Sequence, residues 1–396
     1  NYKTKKTIKY MNNFNFYNPT RIIFGRDTIS KLSKLIDKDK RVLIIYGGGS
    51  IKKNGVYDQV IKALGDREVF EFSGIEPNPR YETCMKCVEY IKENNIDFLL
   101  PVGGGSVIDA TKFIAAAFYI NDNAWSILET GGRNIEKALP FGTVLTLPAT
   151  GSEMNKGSVI TNGEKNLKLS FHSEKCFPVF SILDPQTTFS LPWRQVGNGI
   201  VDTFVHVMEQ YLTYPVNNQI SDRFAESILI TLLEEAPKLK ENPMDYDTRA
   251  NLMWAATMGL NGLIACGVPE DWSTHLIGHE LTAFHNIDHA VTLAIVLPGV
   301  MRRMKHEKHD KLIQYAERVF GIKNIDSEAA IEEAIQRTEE FFSSIDVPIR
   351  LSEINLDKNC IEPIVKRMEE RGWNIGENGS ITPDIIREIL ISRLYE

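Results

Sequence analysis

The sequence predicts an α/β half built on a parallel sheet, followed by an all-helical half. Three observations lead there. From Arg21 to about Asp184, short apolar β-branched runs alternate with amphipathic stretches of helical length, the pattern of βαβ units. After Leu191-Pro192, long periodic segments follow one another with no strand-like run of comparable quality, as an all-helical domain requires. The length, 396 residues, suits two domains or three. The expected division is a leader at 1–10, an α/β domain at 11–190 and a helical domain at 191–396.

Taken in order, Asn1–Tyr10 is Lys-rich, lacks the apolar stretch of a secretory signal and stands directly before Met11, the expected functional start. Arg41–Tyr46 is a strand-like run that ends in Gly47-Gly48-Gly49, and Val56, Val60, Ile61 and Leu64 then mark one face of a helix. Glu68–Phe72 reads as a strand, Tyr81–Asn94 as a helix, and Asp97–Val102 as a continuous apolar strand ending in a second glycine triplet. Ser106–Ile120 reads as a helix and Gly142–Leu147 as a strand. The helical half is expected at 197–213, 219–240, 247–265, 271–285, 301–319, 326–344, 359–371 and 383–394.

Charge and cysteine usage exclude several classes. Lys and Arg number 45 against 52 Asp and Glu, a net charge of −7, so the basic surface of a nucleic-acid protein is not expected. No apolar run reaches the ~18–20 residues that span a bilayer. Five cysteines, an odd number in a long chain, argue against a disulfide framework and for a reducing, cytoplasmic setting. Cys84 and Cys87 form a C-x-x-C spacing, but inside an amphipathic helix with no second pair, so no zinc or redox role is expected.

Gly103-Gly104-Gly105-Ser106 lies between an apolar strand and a helix. Glycines let backbone N–H groups approach a ligand, and the helix N-terminus adds partial positive charge, so the turn suits a phosphate. The G-x-G-x-x-G fingerprint is broken by Ile108, which leaves open a plain strand–helix turn with Ser106 as N-cap. Gly47, Gly48, Gly49 and Ser50 also follow a strand. A site that prefers NAD places a carboxylate on the ribose 2′-hydroxyl. This strand end carries none, whereas Lys52 and Lys53 lie just beyond. A small loop with nearby cations suits the 2′-phosphate of NADP; the alternative is that both lysines are solvated surface.

Four of eight histidines fall between 275 and 289. Asp202 and His206 stand at i and i+4 on an expected helix, and His275 and His279 repeat that spacing on another, so each pair shares a helix face. With His289 these residues offer four imidazoles and a carboxylate; three imidazoles and the carboxylate can surround Zn²⁺ or Fe²⁺ and leave a position for substrate. The H-E-x-x-H pattern of zincin proteases is absent.

The strings Gly103–Asp109, Thr146–Glu153, Gly199–His206 and His275–His289 resemble those of the iron-containing (group III) alcohol dehydrogenases. Tyr46–Lys53, Gly74–Pro79 and Asp271–His275 are most similar to the NADPH-dependent butanol dehydrogenase and broad-range aldehyde reductase branch. The resemblance runs from about Met11 to the C-terminus. It implies a dehydroquinate-synthase-like fold: an N-terminal α/β dinucleotide-binding domain, an all-α C-terminal domain and a cleft between them. It implies Asp202, His206, His275 and His289 as ligands of Fe²⁺ or Zn²⁺, and His279 as a proton-relay residue near the metal. It also implies that Gly103, Gly104, Gly105 and Ser106 bind the pyrophosphate, that Asp109 sits beside the nicotinamide end, and that Thr146, Thr150 and Lys168 line the nucleotide cleft. An Asp stands at the position of Gly47 in NAD-using members, which agrees with the NADP reading of Gly47–Ser50 and Lys53.

The expected chemistry is hydride transfer between NADPH and short-to-medium aliphatic aldehydes, with the metal as Lewis acid and the proton delivered through water or by His279. His279 and Asp109 are the expected catalytic residues, and Trp254, Leu260 and Ile264 offer an apolar lining. Alternatives on the same scaffold are a polyol (glycerol-type) dehydrogenase and a Zn-dependent synthase. A sugar-phosphate substrate would call for Lys or Arg in the cleft motifs, and 271–289 has neither. A non-catalytic nucleotide-binding sensor is the alternative from another class. The expected partners are a small aldehyde or alcohol and a second copy of the chain, with no nucleic acid and no membrane.

Overall fold

Strand β4 (Phe98–Gly104) organises the first unit of the computed structural model, which describes residues 10–323 and 326–395. The expected leader 1–10 lies outside the described residues except for Tyr10. Around β4 stand β1 (Arg21–Phe24), β2 (Arg41–Ile45), β3 (Glu68–Phe72), β5 (Gly142–Leu147) and β8 (Phe180–Leu183), in the spatial order β1-β8-β5-β4-β2-β3 with every pair parallel. Side chains alternate across this sheet. Leu43, Ile45 and Leu99 pack on one face with Val88, Ile91, Phe113 and Ile114. Val42, Ile44, Leu100 and Val102 pack on the other with Val56, Val60 and Leu64. Burial on both faces is why the central strands read as unbroken apolar runs.

Helices of nine or more residues among the described residues are α1 (Val56–Leu64), α2 (Tyr81–Glu93), α3 (Gly105–Ala117), α4 (Trp193–Tyr211), α5 (Gln219–Glu241), α6 (Tyr246–Gly259), α7 (Ser273–His285), α8 (His289–Arg303), α9 (His309–Phe320), α10 (Ser327–Ser344), α11 (Ile361–Glu370) and α12 (Pro383–Ile391). Two compact units result. The α/β unit comprises 17–199 together with 238–261, so α6 packs with the sheet; the helical unit comprises 200–237, 262–396 and the segment that ends at Phe16. No helix among the described residues is long and apolar enough to cross a membrane.

Several elements lie where none was expected from the sequence, strands β1 and β8 among them. An antiparallel hairpin, β6 (Gly157–Asn162) and β7 (Leu167–His172), forms where no strands were expected. Helix α8 begins at His289, in a stretch with no predicted helix, and the helix expected at 301–319 is confined to α9. Ala290–Met301 is buried on every side, so its sequence has no polar stripe to reveal a helical period.

Inside the helical unit, Lys308 Nζ donates to Asp271 Oδ2 at 2.9 Å, Glu377 Oε2 at 2.9 Å and Leu212 O at 2.7 Å. Burial and the hydrogen bond with Asp271 push Glu377 up to about 7. Glu377 therefore keeps its proton in the fold after the unfolded chain has lost it. Its contribution to stability is full below about pH 4.5 and is lost as pH rises through about 7. Thermal melts across that window are expected to lose less stability with rising pH in Glu377→Gln than in the wild type; an identical pH slope would contradict this.

Candidate functional site

A candidate nucleotide crevice follows from the strand order. Beyond β2 the chain moves outward to β3, then returns across β2 to β4, so strand order reverses at β2. Open α/β sheets bind ligands outside the carboxyl ends of strands at such a switch point, and here both flanking ends carry a glycine triplet. At the end of β4 the packing excludes any larger residue: a Cβ on Gly103 would stand 2.7 Å from Val107 Cγ2, and one on Gly105 would stand 2.3 Å from Thr150 Oγ1. Thr150 thus abuts the first residue of α3. Thr146 lies at an irregularity in the β4–β5 register, where Gly103 pairs with Leu145 and Gly104 with Leu147. At the other triplet, nothing lies within 4 Å of a Cβ built on Gly48 or Gly49, and Gly49 takes φ +86°.

Ser106 is not the N-cap considered above. Helix α3 starts at Gly105, its N-cap is Gly104, and no side chain caps it. Ser106 Oγ instead donates to Pro77 O. The neighbouring Asn78 Oδ1 accepts from Lys168 Nζ at 3.1 Å, so the 74–79 segment links the glycine turn to Lys168. A glycine-rich helix start without a side-chain cap fits a pyrophosphate.

Asp109 spends both carboxylate oxygens on its own chain: Oδ1 accepts from Ser152 Oγ at 2.6 Å and Oδ2 from the Val159 N–H at 2.9 Å. Burial raises its pKa. Beside it, sequence reasoning missed Lys112, three residues on and fully buried. Lys112 Nζ donates at 2.8 Å each to Ser152 Oγ, Asn155 Oδ1 and Gly157 O, and burial lowers its pKa to about 8. The i, i+3 spacing from Asp109 was the available signal.

The two lysines after the first triplet differ. Lys52 Nζ lies 2.7 Å from Glu71 Oε2, a carboxylate that also accepts from Tyr46 and Tyr57. Its charge is therefore balanced within the fold. Ser50 and Lys53 open and close the short helix that holds Lys52, and Lys53 is exposed. Trp254, expected as an apolar lining, packs edge-on against Phe24 at 5.9 Å between ring centroids. The Cys84 and Cys87 thiols are buried, and burial pushes their pKa values up.

The second cluster lies wholly in the helical unit. Helix α4 carries Asp202 and His206; α7 carries His275 and His279; His289 is the first residue of α8. Gly278 brings the last two helices together, because a Cβ there would stand 2.7 Å from Thr292 Oγ1. One potential ligand atom from each of Asp202, His275 and His289 lies within 4.8 Å of the others. The His206 ring stacks on that of His275 with centroids 4.5 Å apart, and His206 Nδ1 is 3.8 Å from Asp202 Oδ2. His279 stands at the edge of the group, 5.2 Å from His289 and 6.2 Å from His275 between centroids.

The spacing tests whether a metal fits. Asp202 Oδ1 is 3.5 Å from His289 Nε2 and 3.9 Å from His275 Nε2. These separations exceed good hydrogen bonds but approach the edge of about 3.4 Å between ligands held ~2.1 Å from a tetrahedral ion. Asp202 Oδ1 is itself buried without a hydrogen-bond partner, a costly state for a carboxylate that a cation would relieve. The residues fit a divalent metal.

Around this cluster, Trp272 holds φ +60° at the start of α7 and sets its ring edge-on to His275 at 5.3 Å. Sequence reasoning also missed Glu209, which hydrogen-bonds His275 Nδ1. Burial and the charge of Asp271 push its carboxyl pKa up, while the backbone N–H groups of Thr274 and His275 favour its ionised form. Its place three residues beyond His206 was the signal.

Comparison with known proteins bears on the whole chain. The family described as "Iron-containing alcohol dehydrogenase" matches residues 19–185, and "Fe-containing alcohol dehydrogenase family, C-terminal" matches 197–393. The chain is 54% identical to the NADPH-dependent aldehyde reductase YqhD of Escherichia coli, over 96% of this chain and 99% of that protein. It is 39% identical to NADH-dependent butanol dehydrogenase A of Clostridium acetobutylicum, over 96% of this chain and 99% of that one. The crystal structure of Escherichia coli YqhD superposes with a TM-score of 0.95 at 53% identity, covering 97% of this chain and 100% of the other.

Proposed function

The chain belongs to the iron-containing alcohol dehydrogenase family, and on that premise we propose that it reduces short-to-medium aliphatic aldehydes with NADPH and oxidises the corresponding alcohols in reverse. It is an oxidoreductase acting on CH–OH groups. The observation that carries the reading is the convergence of Asp202, His275 and His289 on one point.

We assign the metal to Asp202, His206, His275 and His289, with Fe²⁺ and Zn²⁺ equally served by this donor set. When bound, the metal supplies Lewis acidity at the carbonyl oxygen and the nicotinamide supplies hydride. The protein's own residues do the rest. The N–H groups of Gly103–Ser106 at the start of α3 hold the pyrophosphate, with Thr146 and Thr150 beside them and Lys168 steadied by Asn78. Asp109, at the nicotinamide end, positions the Ser152 turn and β6 rather than offering a spare oxygen. His279 passes a proton from its imidazole to the substrate oxygen. Gly47, Gly48, Gly49 and Ser50 leave room for the adenosine ribose, and Lys53 faces its 2′-phosphate.

This division of labour gives the α/β unit the nucleotide and the helical unit the metal. The five free cysteines support a cytoplasmic location. Tyr10, Phe14 and Phe16 are 76%, 56% and 44% exposed, an apolar surface that supports a homodimer; light scattering giving twice the chain mass would agree, and a monomer would contradict it.

Steady-state rates with NADPH and NADH across straight-chain aldehydes and glycerol test the substrate and cofactor reading together. Butyraldehyde with NADPH is expected to exceed the other pairings in kcat/KM. Lys53→Ala should raise the KM for NADPH about tenfold, the loss of ~1.4 kcal/mol, and leave that for NADH unchanged. Lys52→Ala should do less, because Lys52 is already paired with Glu71. Greater turnover with glycerol would favour a polyol dehydrogenase.

A further inference from the structure

Helix α4 presents a third polar side chain to the metal cluster. Glu209 is buried, at 3% exposure. Its Oε2 hydrogen-bonds His275 Nδ1, and its Oε1 accepts the backbone N–H groups of Thr274 and, at 3.3 Å, His275. The backbone closes the same contact, since the Asp271 N–H donates to Glu209 O at 2.9 Å. Thr274 and His275 are the second and third residues of α7, whose own N-cap residue, Trp272, provides no side-chain cap. A carboxylate from one ligand-bearing helix thus caps the next.

An imidazole that donates through Nδ1 keeps its lone pair on Nε2. Nε2 of His275 is the atom 3.9 Å from Asp202 Oδ1. We propose that Glu209 is a positioning residue for the metal centre: it fixes His275 as the Nδ1–H tautomer, with Nε2 aimed at the ligand cluster, and docks the start of α7 on α4 in the same contact. The inference rests on the assignment of Asp202, His206, His275 and His289 as the metal set. Carboxylates that orient a ligating histidine in this way typically contribute 10–100-fold to metal affinity. The geometry also predicts that α4 and α7, two of the three ligand-bearing helices, are joined before any metal arrives.

Glu209→Gln keeps the shape but leaves a single acceptor oxygen for two jobs. Competition with a chromophoric chelator should give a Zn²⁺ dissociation constant about 10–100-fold weaker than wild type. Histidine ¹⁵N spectra of metal-free wild type should find His275 in the Nδ1–H form, and the variant should populate both tautomers. An unchanged dissociation constant would overturn the proposal. So would a lower melting temperature of the metal-free variant with unchanged affinity, since Glu209 would then be a helix cap alone. If the variant fails to fold, the wild-type spectrum decides, and an Nε2–H tautomer there refutes the proposal. Wild-type protein that binds no Zn²⁺ would instead remove the metal assignment beneath it.

Discussion

Asp202→Asn should lose its metal and at least about 10³-fold in kcat/KM, or ~4 kcal/mol of transition-state stabilisation. The same change should leave the metal-free protein at least as stable as wild type. Asp202 Oδ1 is buried with no hydrogen-bond partner, and an uncompensated buried charge is expensive. The two effects separate in a thermal melt. Wild type should gain about 4 kcal/mol when free metal exceeds its dissociation constant ~1,000-fold, whereas the variant should gain almost nothing. A variant that melts early without metal, or that still responds to it, would argue that Asp202 serves the fold and not the ion.

Lys112→Met should destabilise the protein by about 3–5 kcal/mol, the usual consequence of removing one partner from a buried charged network. The ammonium anchors Ser152, Asn155 and the Gly157 carbonyl, and Ser152 passes its own proton donor to Asp109. Without Lys112, three acceptors and the Asp109 carboxylate share too few donors, and the loop behind the second glycine triplet loses its anchor. Urea unfolding should therefore show a lower midpoint, and NADPH titration of the folded fraction a weaker dissociation constant. Unchanged stability would mean that water satisfies these groups as well as the ammonium does.

Much of this architecture can be read from the sequence because it is written in local periods. The strands ending at Ile45 and Gly104 appear as apolar runs, since a central parallel strand is buried on both faces. Asp202 with His206, and His275 with His279, can be read as pairs, since i and i+4 share a helix face. What escapes has a short local period or none. Helix α8 is apolar on all sides, and its first residue, His289, therefore looked like part of a loop. The β6–β7 hairpin closes through Asn166 at φ +48°, and its one sequence signal is the short alternation of Leu167, Leu169 and Phe171 with polar residues in β7. Lys52 and Glu71 meet across two elements, so the sequence offers Lys52 as a phosphate contact and the fold balances it elsewhere. Glu209 and Lys112 each lie three residues beyond a residue that was recognised, and only their partners on other segments reveal what they hold.

If the helical-unit cluster holds the metal on which aldehyde reduction depends, turnover must follow metal content. Initial rates of NADPH oxidation with butyraldehyde, taken before chelation, after it, and after Zn²⁺ or Fe²⁺ is restored, test it most directly. Fast turnover that chelation abolishes and metal restores is the predicted result. Turnover that persists in protein verified to be metal-free would contradict it.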